Sequence, residues 1–315
     1  PARAARRPPL LAAMGVCMPC LTLMHRWSAE SNVKGIVKEL RRGDAPSELD
    51  LSCRGIEMIG MGLVASAIVE QDTKVTSLNL WGNPLSYDGA VKLVPAMRKL
   101  RHVDLWCTWL GDRGALVVSA ALKDGATSLV SLDLGGNRID ARGCQAIADA
   151  LEVNTVLRTL DLRKNLLRHP SVAILAQALR SNVSLTSLCL SGNAVGDRGA
   201  MALAGALQVN DVLEKLLLAG SRIGDDGVAA ISKALHKNRG LRTLDLRGNQ
   251  LRAPSGRALR EALSANTTLK VLDVWGNGMG WDGALALACA AHRSATLEVW
   301  DVCSDLLTEK KRSVQ

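Results

Sequence analysis

LRTLDLRKNLL at residues 157–167 and LRTLDLRGNQL at residues 241–251 agree in nine of eleven letters although 84 residues separate them. Within each stretch, leucines at positions 4 and 6 have a period of two, so an extended segment turns them to one face while positions 3, 5 and 7 point to the other. The polar residue at position 9 and the aliphatic at position 11 then mark a turn back into the interior. LVSLDLGGNRI (129–139) and LTSLCLSGNAV (185–195) carry the same signature, and ten copies can be aligned. They begin at Pro46, Val75, Leu100, Leu129, Leu157, Leu185, Leu213, Leu241, Leu269 and Leu297, the last six intervals being 28 residues each. They are numbered here as repeats one to ten. A period of this length means stacked units, because one unit alone cannot bury its apolar edge.

Position 9 is asparagine at Asn83, Asn137, Asn165, Asn193, Asn249 and Asn277, with Arg54, Thr108, Ser221 and Asp305 as departures. An amide there can satisfy backbone groups that stacking hides from water. The second half of each copy reads as a helix. Asp112, Asp197 and Asp225 stand where an N-cap would, and Pro170 and Pro254 fall where a first helical residue would. Gly89, Gly143 and Gly227 follow in a shared column whose small size allows close helix–strand approach. Asn154, Asn182, Asn210, Asn238 and Asn266 share position 26, the place for a left-handed helix stop. Two of these lie in glycosylation-like sequons, Asn182-Val-Ser184 and Asn266-Thr-Thr268, which read as by-products of the repeat.

These copies resemble the leucine-rich repeat family, and the 28-residue period is similar to its ribonuclease-inhibitor-like subtype. The resemblance covers about 270 residues in ten in-register copies. It implies an α/β fold, a right-handed horseshoe solenoid with about ten parallel strands on the concave side and helices on the convex side. It also implies a non-catalytic interaction module, a scaffold or adaptor that binds a partner protein through the concave face. Regulators of enzymes, such as GTPase activators and nuclease inhibitors, occur in the same subtype, and a sensor fragment of a larger receptor is a third reading.

The repeats are expected to occupy residues 46–307, preceded by a capping helix within 28–45 and followed by a basic tail at 308–315. Val33, Ile36, Val37 and Leu40 fall on one face of that helix, and Trp27 and Trp300 stand where residues closing the two ends of the core would. Residues 1–27 form a basic and apolar leader. Its composition suits a targeting segment, or, if translation starts at Met14, a lipid anchor on Gly15, Cys17 and Cys20. Membrane attachment is expected only through that leader, and the expected compartment is the cytoplasm.

The formal charge of +9 belongs mostly to the ends: residues 1–26 carry +4, residues 309–315 carry +2, and the other 282 residues carry +3. The body is therefore a mixed surface, and no nucleic-acid partner is expected. Eight cysteines in scattered positions give no disulfide framework, and Cys17-x-x-Cys20 has no second pair to complete a zinc site. No nucleotide-binding, metalloprotease, serine-hydrolase or calcium-loop motif occurs, so no enzyme activity, metal or cofactor is expected. The protein reads as a monomer or a subunit of a larger assembly.

The outward columns are where recognition is expected. Position 5 reads Asp50, Asn79, Asp104, Asp133, Asp161, Cys189, Leu217, Asp245, Asp273 and Asp301, an acidic stripe that suits a partner with a basic or mixed surface. Asp at this position is equally the residue that would hydrogen-bond along the ladder. Position 7 reads Ser52, Trp81, Trp106, Gly135, Arg163, Ser191, Ala219, Arg247, Trp275 and Cys303. In a chain with seven Trp, one Tyr and no Phe, Trp81 and Trp106 occupy this column in adjacent copies. Their rings are expected roughly 5 Å apart. They serve either as partner contacts or as cover for Gly82 and Gly135. The candidate partner-binding residues are Trp81, Trp106, Asp104, Asp133, Asp161, Arg163, Asp245, Arg247, Asp273 and Trp275, with Trp109 on the rim.

Overall fold

In the computed structural model of the protein, the described residues are 29–43, 45–70, 73–125 and 127–301. The leader, including Gly15, Cys17, Cys20 and Trp27, lies outside them, as do the tail from residue 302 and the side chain of Trp300. Helix α1 (Ala29–Arg42) comes first, then strand and helix alternate: β1 (Glu48–Asp50), α2 (Met58–Glu70), β2 (Ser77–Asn79), α3 (Ser86–Met97), β3 (His102–Asp104) and α4 (Gly111–Lys123). Next come β4 (Ser131–Asp133), α5 (Ala141–Leu151), β5 (Thr159–Asp161), α6 (His169–Ser181), β6 (Ser187–Cys189) and α7 (Gly196–Leu207). Last are β7 (Lys215–Leu217), α8 (Asp225–Leu235), β8 (Thr243–Asp245), α9 (Ala253–Ala265), β9 (Val271–Asp273), α10 (Gly280–Arg293) and β10 (Val299–Asp301). The strands form one parallel sheet in sequence order, each position pairing with its counterpart one repeat on, as Leu160 does with Leu188. Strands sit about 4.8 Å apart whereas helices need 8–10 Å between axes, so the stack bends with its strands inside.

The register follows from the leucines. Positions 1, 4, 6 and 11 are fully buried in repeat five at Leu157, Leu160, Leu162 and Leu167, each contributing about 2 kcal/mol by leaving water. Helix α1 lays Val33, Ile36, Val37 and Leu40 on the first repeat, all of them buried. Helix α2 differs from the rest: MIGMGLVASAIVE has no charge before Glu70, and it leaves Met58, Ile59 and Leu63 exposed outside.

The position-9 asparagines form a ladder through the core. Asn137 accepts the N–H groups of Thr108 (3.0 Å) and Leu110 (3.2 Å) and donates to the carbonyls of Leu105 (2.7 Å) and Leu134 (3.0 Å), joining two repeats with one amide. Position 8 explains the glycines beside it. Gly82, Gly136, Gly192, Gly220, Gly248 and Gly276 all have positive φ, and Cys53, Cys107 and Lys164 adopt the same left-handed conformation with φ of 52°. A side chain there opposes the backbone preference.

Two details differ from the sequence expectation. The position-26 asparagines are not left-handed stops: Asn182 has φ −69° and Asn266 has φ −82°. They form a second ladder instead. Asn182 donates to the carbonyls of Leu151 (2.7 Å) and Asn154 (3.2 Å) and accepts the N–H of Leu185 (2.7 Å). The amide nitrogens of both sequon residues are buried donors, Asn266 reaching Leu235 O at 2.9 Å, which leaves none for a glycan.

The other difference concerns Asp112, Asp197 and Asp225, which cap no helix of their own. Each caps the next one. Asp112 Oδ1 accepts the N–H groups of Asp140 (2.8 Å) and Gly143 (3.0 Å), and Asp197 Oδ1 those of Gly224 (2.7 Å) and Gly227 (3.0 Å). An aspartate inside the first turn has passed its own N-terminal amides, and stacking brings the neighbour's within reach.

Candidate functional site

The strand face presents three columns, because each strand is three residues long and alternation leaves positions 3, 5 and 7 outward. At position 5 the carboxylate first serves its own chain. Asp104 accepts the N–H of Trp106 at 2.8 Å, Asp133 that of Gly135 at 2.7 Å, Asp161 that of Arg163 at 2.8 Å and Asp273 that of Trp275 at 3.1 Å. Asn79 does the same for Trp81 at 3.0 Å. The bond holds the chain in the turn that leads to the left-handed residue at position 8.

Beyond this shared bond the column divides. Asp161 and Asp245 are buried at 6% exposure, and each is paired with the arginine two residues on. Arg163 Nε donates to Asp161 Oδ2 at 2.6 Å, and Arg247 donates to Asp245 at 2.7 Å while lying 3.3 Å from Asp273. That hydrogen bonding holds both guanidinium groups above their usual range. These two aspartates therefore offer a partner little negative charge. Between the pairs lies an uncharged stretch, Cys189, Leu217 and Ala219, where burial pushes the Cys189 thiol up.

Asp104 and Asp133 behave differently: neither forms an ion pair within 4.0 Å among the described residues, and only the more distant charge of Arg163 acts on both. They line a groove of about 500 Å³ across β1 to β4 together with Glu48, Asp50 and His102, and among the described residues no lysine or arginine lines it. Burial raises Asp104 above the usual carboxylate range. Asp133 is pushed up to about 7, first by burial and then by the charge of Asp161, with Asp104 adding to the rise and the Gly135 N–H and the charge of Arg163 opposing it. Glu48, Ser77, His102 and Ser131 belong to position 3, a column that alternation turns to the same face but that composition did not bring forward.

The tryptophans also separate. Trp106 is half-buried and its ring lies on Gly135, so close that a Cβ there would meet ring carbons at 2.6 and 2.8 Å. From the open side, the guanidinium of Arg163 lies 5.1 Å from the ring centre and the Lys164 ammonium 5.8 Å. The indole thus reaches forward over repeats four and five, in the manner of cover. Trp81 is half-buried, while Trp109 and Trp275 are about half exposed, at 48% and 51%. Trp109 sits on the rim in a left-handed conformation, φ 61°.

A raised carboxyl has a consequence for stability. In the unfolded chain an aspartate titrates near 3.9, so between roughly pH 4 and 7 the folded protein holds a proton at Asp133 that the unfolded chain releases. The contribution is complete below about pH 4 and lost as pH rises through about 7. Asp133→Asn should therefore stabilise by about 2 kcal/mol at pH 8 and not at pH 4. Asn79 at the same position shows that an amide keeps the turn bond. Denaturant midpoints at the two pH values measure this, and an equal shift at both would contradict it.

Among the described residues no group of three or more His, Cys, Asp or Glu is placed to hold a metal ion. No described helix is long and apolar enough to cross a membrane.

Among known proteins, the Leucine Rich repeat profile matches residues 71–94, 125–148, 181–204, 209–232, 237–259 and 265–288. No curated protein matches the chain. Among solved structures, the Leiomodin-1 actin-binding site 2 shares 21% identity at a TM-score of 0.35, over 47% of this chain and 82% of that one. The TLR13-ssRNA13 complex gives 18% and 0.47, over 76% of this chain and 37% of that one. The Rad7 and Elc1 complex in yeast gives 15% and 0.48, over 90% and 74%. Likenesses this distant carry nothing about a partner. Proteins built from leucine-rich repeats typically mediate protein interactions. Because the last four matched segments begin 28 residues apart, in step with the strands and both asparagine ladders, the chain belongs to the leucine-rich repeat family.

Proposed function

We propose that the protein is a non-catalytic scaffold or adaptor whose strand face receives a basic segment of a partner protein. The observation that carries this is the groove over β1 to β4, where Glu48, Asp50, Asp104 and Asp133 converge with no lysine or arginine in the lining among the described residues. The position of Asp133 supports it further, since a carboxyl held up by burial and by neighbouring acids gains when a cation arrives. Charge complementarity of this kind sets the rate and choice of partner more than bulk affinity. Trp81 at one margin supplies an apolar anchor of the type enriched at interface hot spots.

The test is isosteric. Asp104→Asn with Asp133→Asn keeps the turn bonds and removes the charge. The double variant should lose roughly tenfold in affinity for a fluorescent twelve-residue peptide with lysine at alternate positions. It should also lose the main proteins that the native chain captures from extract. Unchanged binding would sink the assignment. Trp106→Ala is a poor probe of the same idea, since it uncovers Gly135 and mixes folding with binding.

A further inference from the structure

Parallel strands in one sheet bring every strand-to-helix turn to one edge of the solenoid and every helix-to-strand turn to the other. The two edges carry charge differently. On the helix-to-strand edge, four cations pair with carboxylates across repeats, while Arg158, Arg180 and Arg239 bind backbone carbonyls. Arg98 lies 2.5 Å from Asp124, Lys123 3.3 Å from Asp149, Arg242 3.9 Å from Glu214 and Lys270 2.7 Å from Glu298. Basic residues there also fall in last helical turns, as Arg41, Arg42 and Lys123 do, where the helix dipole favours them.

The strand-to-helix edge does neither. Arg142, Lys164, Arg168, Arg198, Arg222 and Arg252 are all exposed, at least one in each of repeats four to eight. None of the six is within 4.0 Å of a carboxylate among the described residues. Of the carboxylates on the same edge, Asp112, Asp197 and Asp225 accept helix N–H groups, and exposed Asp140 and Asp226 form no ion pair within 4.0 Å among the described residues. Arg168 and Arg252 are the N-caps of α6 and α9, and Arg142 and Arg198 stand in the first turns of α5 and α7. These are the places where the dipole disfavours a cation. The edge thus presents, among the described residues, six exposed cations outside any ion pair in five consecutive repeats.

We propose that the strand-to-helix edge of repeats four to eight is a docking surface for an acidic, extended segment of a protein. The row runs over five consecutive repeats, and alternate residues of an extended chain, about 6.8 Å apart, can follow it with carboxylates. Trp109 in repeat three and Trp281 in repeat nine, each about half exposed, stand at its two ends. They fit as apolar anchors. A single-stranded nucleic acid is the less suited polyanion, because base stacking needs aromatic faces interleaved with the cations. Repeats four to eight contain no Phe, Tyr or Trp, and the one ring beside the row, Trp106 under Lys164, lies against Gly135. This surface is separate from the acidic groove and of opposite sign, so one chain can hold two dissimilar partners.

The full chain with Arg142→Gln, Arg168→Gln, Arg198→Gln and Arg222→Gln tests the proposal. The probe is a fluorescent twelve-residue peptide with glutamate at alternate positions, followed by anisotropy at low and moderate salt. The variant should bind roughly tenfold more weakly, with a flatter salt dependence, while Asp104→Asn with Asp133→Asn should bind as the native chain does. Because Arg142, Arg168 and Arg198 oppose the helix dipoles, the melting temperature should rise by about 2–4 °C. Unchanged affinity in the arginine variant would overturn the proposal. So would an oligo(dT) of equal charge that binds more tightly than the peptide, which would assign the edge to nucleic acid.

Discussion

Asn137→Ala should cost about 4 kcal/mol and remove cooperative unfolding between repeats three and four. The side chain satisfies two buried N–H groups, those of Thr108 and Leu110, and two buried carbonyls, those of Leu105 and Leu134. Each orphaned buried group costs roughly 1–3 kcal/mol, and water entering the small cavity recovers part of the total. Since a solenoid is held by nearest-neighbour interfaces, the damage stays local at first. Hydrogen exchange should show α4 and α5 losing protection before α7 and α8. Thr108 offers an internal control: at the equivalent position its hydroxyl lies 2.7 Å from Leu105 O. Asn137→Thr should therefore recover about half of the loss. A cost below about 1 kcal/mol for the alanine variant would mean that the ladder is not what joins the repeats.

Gly256→Ala should cost about 3 kcal/mol, an effect invisible in the repeat itself. Ala90, Ala115, Ala200 and Ala284 occupy the same repeat position elsewhere, so by alignment an alanine at 256 looks harmless. In the structure α9 and α10 approach until a Cβ on Gly256 would stand 2.2 Å from the carbonyl oxygen of Gly283 and 2.7 Å from its Cα. The obstacle is backbone, which cannot rotate away as a side chain can, so α10 must move as a unit. Denaturant unfolding should develop an early phase belonging to repeats eight to ten, with the earlier repeats retaining their native midpoint. A single unshifted transition would show that the two helices have room to spare.

The architecture was legible because the repeat states it ten times. Leucines at positions 1, 4 and 6, asparagine at position 9 and proline at the helix start each fix a local geometry that stacking multiplies. Reading failed where a residue acts outside its own repeat. Asp112 looks like a cap for α4, yet it serves α5, since which amide lies near it depends on the distance between helices. The position-26 asparagines suit a helix stop in sequence. Their amides instead bind the preceding repeat in an extended conformation.

The candidate site divides along the same line. That the acids of position 5 face outward was determined by the period of two. That Asp161 and Asp245 are spent on Arg163 and Arg247, while Asp104 and Asp133 form no ion pair among the described residues, was decided by stacking and burial. Trp106 reads as an exposed anchor by position, and packing lays it on Gly135. The basic edge shows the contrast most plainly: its arginines are evenly scattered in the sequence and sum with nearby aspartates to an ordinary mixed surface. The parallel sheet sorts them, bringing one kind of turn to each side, and Asp112, Asp197 and Asp225 among them cap helices instead of pairing with the arginines. Sequence alone determined the repeat, its register and which columns face out, because those are local and periodic. The tertiary structure decided which charges remain unneutralised, because neutralisation depends on distances between residues some 28 positions apart in the chain.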